Sequence, residues 1–198
     1  MDIDILTLLF ICFIAIICYR FYITSDEFQL TCILSDVDGK RYCVREREKL
    51  SEAADRLAKV NEGLKRVVDY CCKEYKNDER IKRLEKGFNP RRIYETLPTS
   101  QYTAYSENKG EKLAFCLNTE KNQQGKLIDE NTLMFVALHE LTHICTKSVG
   151  HTEEFWNNFK FILDQAVKIG VYDPVDYSKQ PAQYCGMEIN DNPYFDQK

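Results

Sequence analysis

Residues 133–143 read LMFVALHELTH, from Leu133 to His143. Apolar side chains at Leu133, Met134, Val136, Ala137, Leu138 and Leu141 recur at helical spacing, and Asp129 stands where an N-cap belongs. The spacing therefore predicts a helix through the whole stretch. His139 and His143, four residues apart, then share one face of that helix. Imidazoles so placed can reach one ion, and zinc takes histidine nitrogen at about 2.0–2.1 Å in a tetrahedral shell. Glu140 follows the first histidine and lies beside the same face. A bound zinc lowers the pKa of its water towards 7, and a carboxylate at that position can take the proton. A polar His-Glu pair inside an apolar helix is costly unless something satisfies it, and a metal does so. Two surface histidines on an amphipathic helix are the bland alternative.

The chain holds three histidines in all, and the third, His151, lies eight residues beyond His143. A turn over Lys147–Gly150 can fold it back onto the same ion as a third ligand. Its other role would be to cap the next helix. Acidic alternatives are Glu153, Glu154 and, farther on, Asp164. Thr152 is a candidate cap for a helix carrying Phe155, Phe159, Ile162, Leu163 and Val167, which Gly170 ends. Phe155 and Trp156 are expected in the core, pinning this helix to the first. Cys145 has no separate histidine to serve it as a base, so it reads as a packed thiol. Tyr177 and Tyr184 are available as oxyanion stabilisers, with no position assigned to either.

Outward from the site, Lys112–Asn118 and Gln101–Tyr105 are β-like and face each other around Asn108-Lys109-Gly110, a hairpin signal. Thr119–Lys126 is a polar loop. Nearer the N-terminus, Leu30–Asp36 and Lys40–Arg45 form another hairpin across Asp38-Gly39. Glu46–Tyr75 reads as one long helix with a single apolar stripe through Leu57, Val60, Leu64 and Val67. Residues 73–92 are locally basic and read as a solvated helix and loop, with Pro90 and Pro98 marking irregular structure. From Val171 to the end no helical period appears, and this tail should drape over the domain.

The N-terminal run Ile5–Tyr19 (ILTLLFICFIAIICY) carries no charge and continues past Arg20 to Ile23. As a helix, 5–23 spans about 28 Å, enough for a bilayer core if Arg20 snorkels. Asp2 and Asp4 replace the positive n-region of a signal peptide, and no small-x-small cleavage site follows. An anchor is thus preferred to a signal peptide or a core helix. Arg20, Lys40 and Arg41 lie on the C-terminal side, which places the domain in the cytosol. Nine cysteines, odd in number and without paired spacing, agree with reduced thiols.

With 27 basic and 31 acidic residues the net charge is −4, which excludes a globally basic nucleic-acid binder. Direct binding of nucleic acid is not expected. No CxxC pair, internal repeat or phosphate-cradling glycine loop is present in the sequence.

Lys112–Asn118 (KLAFCLN), Leu133–His143 (LMFVALHELTH) and Gly150–Trp156 (GHTEEFW) together resemble the WLM and SprT-like zinc metallopeptidases. The resemblance covers about residues 111–170 and extends to short membrane-anchored members encoded by large DNA viruses. It implies an α+β, zincin-like domain: a small mixed or antiparallel sheet whose edge strand pairs with extended substrate above the active-site helix. It also implies one Zn2+ held by His139, His143 and His151, with Glu140 as base. The division expected is an anchor over 1–23, a metallopeptidase domain over 24–170 and an irregular tail over 171–198. The function expected is hydrolysis of peptide bonds in a protein or peptide substrate by a Glu140-activated, zinc-bound water, at a membrane. The alternative is a non-catalytic zinc-binding structural or interaction protein of the same fold. A third reading, a nucleic-acid-linked protease, would use the basic segment 73–92.

Overall fold

The computed structural model describes residues 4–121 and 126–196. The middle of the expected Thr119–Lys126 loop, the first three residues of the anchor and the last two of the tail lie outside the described residues. Helix α1 (Ile5–Thr24) is the apolar run, with Asp4 as its N-cap accepting from the Thr7 amide at 2.7 Å. A four-residue helix, α2 (Asp26–Gln29), joins it to the hairpin of β1 (Thr31–Leu34) and β2 (Arg41–Val44). Gly39, at φ +67°, supplies the left-handed residue of that turn.

Helix α3 (Leu50–Glu74) begins four residues later than the expected start at Glu46. The preceding residues are drawn elsewhere. Arg45 and Arg47 close around Glu95, which is buried (1% exposed). The Arg45 amide donates to Glu95 Oε2 at 2.7 Å, and Arg47 Nη2 pairs with Glu95 Oε1. Arg45 also donates to the Thr96 and Leu97 carbonyls. A buried carboxylate needs such partners, and meeting that need outweighs one more helical turn. Helix α4 (Glu79–Gly87) follows, capped by Asp78, with Ile81 and Leu84 turned into the core.

The sheet is mixed and five-stranded, ordered β1-β2-β3-β5-β4, where β3 is Ile93–Glu95, β4 Ala104–Glu107 and β5 Lys112–Phe115. β3 runs parallel to β2 and β5, while β4 is an antiparallel edge. The site hairpin sits later than expected, its first strand starting at Ala104 instead of Gln101. Asn108, Lys109 and Gly110, at φ 46°, 56° and 106°, make a tight left-handed turn that fixes the register at Glu107 and Lys112. Helices α5 (Glu130–Cys145) and α6 (Glu153–Lys168) pack on each other and on α3. Where α3 meets α5, a Cβ on Gly63 would stand 2.3 Å from Met134 Cε. Gly87 and Gly110 likewise touch: a Cβ on Gly87 would lie 2.5 Å from the Lys109 carbonyl, and one on Gly110 would lie 2.5 Å from the Gly87 carbonyl.

The tail is more ordered than its lack of period implies. It forms a second, two-stranded sheet of β6 (Ala182–Tyr184) and β7 (Met187–Ile189), turning at Cys185 and Gly186 in the left-handed region. Two disulfides correct the expectation of reduced thiols. Cys32 and Cys43 are cross-strand partners in β1 and β2. Cys116 and Cys185, 69 residues apart, tie the β6–β7 turn to the end of β5. Fold topology brings the second pair together, so no spacing in the sequence announces it.

Candidate metal centre

Asp129 caps α5 by accepting from the Thr132 amide at 2.8 Å. The helix then runs buried between α3, α4, α6 and the sheet, with Leu133, Ala137, Leu138 and Leu141 fully enclosed. Its remaining face presents His139 and His143. Their ring centroids are 5.0 Å apart, and those of His151 lie 4.8 and 5.1 Å from them. One ring nitrogen from each of the three lies within 4.8 Å of the others, and His139 Nε2 is 2.9 Å from His151 Nε2. Phe155 stacks on His143 at 4.4 Å and backs the other two rings at 4.8 Å.

The loop that returns His151 is held from both sides. Lys109 Nζ donates to the carbonyls of His143, Thr146 and Ser148 at 3.1, 2.9 and 3.0 Å. Glu154 accepts from the amides of Lys147 and Ser148 at 3.1 and 3.0 Å, and hydrogen bonding from the Ser148 side chain, followed by these amides, holds its carboxyl down at about 2. Gly150, at φ +82°, completes the turn into α6, whose N-cap is Thr152. Thus Glu154 is a loop brace and does not join the trio, and Glu153 and Asp164 do not join it either.

Burial lowers the His139 pKa to about 3 and the His143 pKa to about 4, with the neighbouring imidazoles adding to the effect. Neutral imidazole is the form that ligates metal. Burial pushes the Glu140 carboxyl up to about 8, opposed by a hydrogen bond from the Ser106 backbone amide on β4. Three inward nitrogens with an aromatic backing fit a small divalent ion with nitrogen preference. Among the described residues no other His, Cys, Asp or Glu joins the group.

Trp156 is not in the core. It is 42% exposed and its ring lies 5.7 Å from that of His151. Neither tail tyrosine faces the trio as a free donor. The Tyr184 hydroxyl accepts from the Cys116 amide and donates to the Thr103 carbonyl, each at 3.1 Å, while Tyr177 is buried against Thr132 and Phe135. Cys145 is a packed thiol: burial pushes it up to about 11, and Sγ donates to the Thr142 carbonyl. Lys109, Ser106 and the bracing role of Glu154 have no signature in the sequence, since each depends on a contact between distant elements.

A cleft of about 920 Å³ opens over the trio along β4. A side pocket of about 220 Å³ adjoins His139 and Glu140, walled by Phe135, Val136, Phe159, Met187 and Ile189. Four of the eight basic residues in 73–92 are engaged within the domain. Arg80 and Lys82 pair with Asp78 and Glu79, Arg83 donates to the Cys145 carbonyl, and Arg92 pairs with Glu111.

No family model matches the chain. The uncharacterized protein R325 of Acanthamoeba polyphaga mimivirus is 30% identical over 184 residues, covering 90% of this chain and 92% of that protein. Shorter matches are to uncharacterized protein 136R of Invertebrate iridescent virus 6 (36% identical, covering 35% of this chain and 39% of that protein) and to uncharacterized protein 042R of Invertebrate iridescent virus 3 (43% identical, covering 36% and 43%). Among solved structures, Wss1 from Saccharomyces cerevisiae is similar at a TM-score of 0.45 and 18% identity, covering 63% of this chain and 84% of that one.

Proposed function

We propose that this chain, which belongs to the family of protein R325 of Acanthamoeba polyphaga mimivirus, is a zinc-dependent endopeptidase tethered to a membrane by α1. The supporting observation is the convergence of His139, His143 and His151 beside the buried carboxyl of Glu140. The resemblance of 133–143 and 150–156 to WLM and SprT-like peptidases points the same way. One zinc ion held by the three histidines would supply a Lewis acid for the scissile carbonyl. Glu140 takes a proton from the attacking water and returns it to the departing amine. Ser106 orients the Glu140 carboxyl from β4. β4 is the edge strand of its sheet, and its outward backbone groups other than the Ser106 amide are offered to an extended peptide, while the side pocket takes a bulky apolar side chain next to the scissile bond. A nucleic-acid partner is not needed.

The basic flank after α1 favours a cytosolic domain, whereas the two disulfides favour an oxidising compartment. Protease protection in intact cells decides between them. The function itself is tested with the full chain in detergent. It should bind about one zinc and cleave an unstructured protein, and Glu140→Gln should keep the metal while losing about 10²–10⁴ in kcat. Bound zinc with no cleavage across a broad peptide library would favour the non-catalytic alternative. Undiminished proteolysis by Glu140→Gln would remove Glu140 from its role.

A further inference from the structure

The end of the anchor forms part of the cleft. Thr24, the last residue of α1, lines it together with Tyr102, His143, His151 and Met187. Thr99 Oγ1 donates to the Ile23 carbonyl at 2.7 Å, and Gln29 Nε2 donates to the Tyr22 carbonyl at 3.3 Å. Residues 25–30 alone separate α1 from β1. Even fully extended they would reach about 20 Å, and here α2 takes up most of them. The connection is therefore a folded joint, with no free tether in it.

Helix α1, at 20 residues, is about 30 Å long, the thickness of a bilayer core. Spanning that core uses all of α1, so Thr24 cannot be lifted far above the headgroups. Aromatic residues mark the same level: Phe28 packs on Phe21 and Tyr22 with centroids 6.2 and 5.7 Å apart, and all three are exposed. Interfacial depth is where such rings settle. Around the mouth of the cleft, Tyr102, Val149 and Met187 are also exposed and apolar, Val149 at 86%.

We propose that the cleft is held at the level of the lipid headgroups and takes the membrane-proximal segment of a protein anchored in the same bilayer. Its position follows from the joint, while its substrate rests on the peptidase reading above. A short joint excludes distant segments by reach, and the edge of β4 accepts only extended chain. The preferred substrate is thus an unfolded stretch directly beside a membrane helix.

The chain carries its own depth gauge, because Trp156 is its single tryptophan and adjoins His151. The full chain is reconstituted with zinc in phosphatidylcholine vesicles. Nitroxide placed on the lipid headgroup should quench Trp156 strongly, and nitroxide at the acyl-chain end should not. Absence of headgroup quenching would overturn the placement. Single-pass reporters then carry one cleavable segment either directly after the membrane helix or beyond a long Gly/Ser spacer. Proximal cleavage should be at least about tenfold faster, a preference worth about 1.4 kcal/mol. A Gly/Ser insertion between Gln29 and Leu30 should abolish both the quenching and the preference. Equal rates on the two reporters would overturn the substrate class. Failure to cut either reporter, with headgroup quenching intact, would instead count against the peptidase reading and leave the placement standing.

Discussion

Lys109→Met tests how the third histidine is delivered. Lys109 is exposed, yet its ammonium donates to three carbonyls of the segment that returns His151. A hydrogen bond from a charged donor contributes about 1.5–3 kcal/mol when shielded from water, and less at an exposed site. Sharing one ammonium among three acceptors and allowing for solvent leaves about 1–2 kcal/mol in total. Lost from the docked loop, that corresponds to a zinc affinity about 5- to 30-fold weaker. Methionine suits the test because it keeps the apolar stem and is not β-branched, so it adds no strain at φ 56°. Apparent affinity is read by competition with a chromophoric chelator at constant pH. Thermal unfolding of the metal-free protein confirms that the variant is folded, and Lys109→Arg should recover much of the loss. A folded Lys109→Met protein that binds zinc within about twofold of the parent would refute the reasoning. Because Glu154 grips the amides of the same loop, Glu154→Gln combined with Lys109→Met should be non-additive by at least about 0.5 kcal/mol.

Three further outcomes are expected. Glu95→Ala leaves two guanidinium groups without their buried carboxylate and should cost about 3–5 kcal/mol in urea unfolding, whereas a change below about 1 kcal/mol would deny the cluster its structural role. Removing the 69-residue closure with Cys116→Ser and Cys185→Ser should lower stability by up to about 4 kcal/mol, and an unchanged guanidinium midpoint after reduction would contradict it. Metal-free protein should be most stable near pH 6.5. Below that, the unfolded chain takes up protons that His139 and His143 resist until about 3 and about 4, so stability falls with pH. From about 6.5 to about 8 the folded chain keeps the Glu140 proton that the unfolded chain releases, so stability falls as pH rises. A monotonic rise to pH 8 in chemical unfolding would exclude the buried environment assigned to Glu140.

Periodicity and capping made α3, α5 and α6 legible, because long amphipathic helices and Asp or Thr caps are local signals. The two early turns were legible from glycine. β3 was not: three residues between Pro90 and Pro98 carry no period, and they become a strand only because β2 and β5 flank them. The β6–β7 hairpin escaped for the same reason, since its turn is Cys185-Gly186 and its hold on the domain is a disulfide to a distant residue. At the site, the helical pair of histidines could be read from spacing. The location of His151 depends on Lys109 and Glu154, two side chains from other elements. Trp156 misled because aromatic residues at helical spacing usually face the core, and here the apolar wall is already filled by Phe155 and Phe159.

The contact between Gly87 and Gly110 has a consequence for how such a centre can change over generations. Position 110 fixes the height of the neighbouring ammonium above α5, and position 87 fixes position 110, so accuracy at the histidines is inherited through a stack of tolerances that starts on a helix with no chemistry of its own. One extra carbon at either glycine meets the opposite backbone at 2.5 Å. Neither partner can drift alone without tilting the stack. Any constraint on the placement of the three histidines therefore reaches back to a glycine on the far side of the turn.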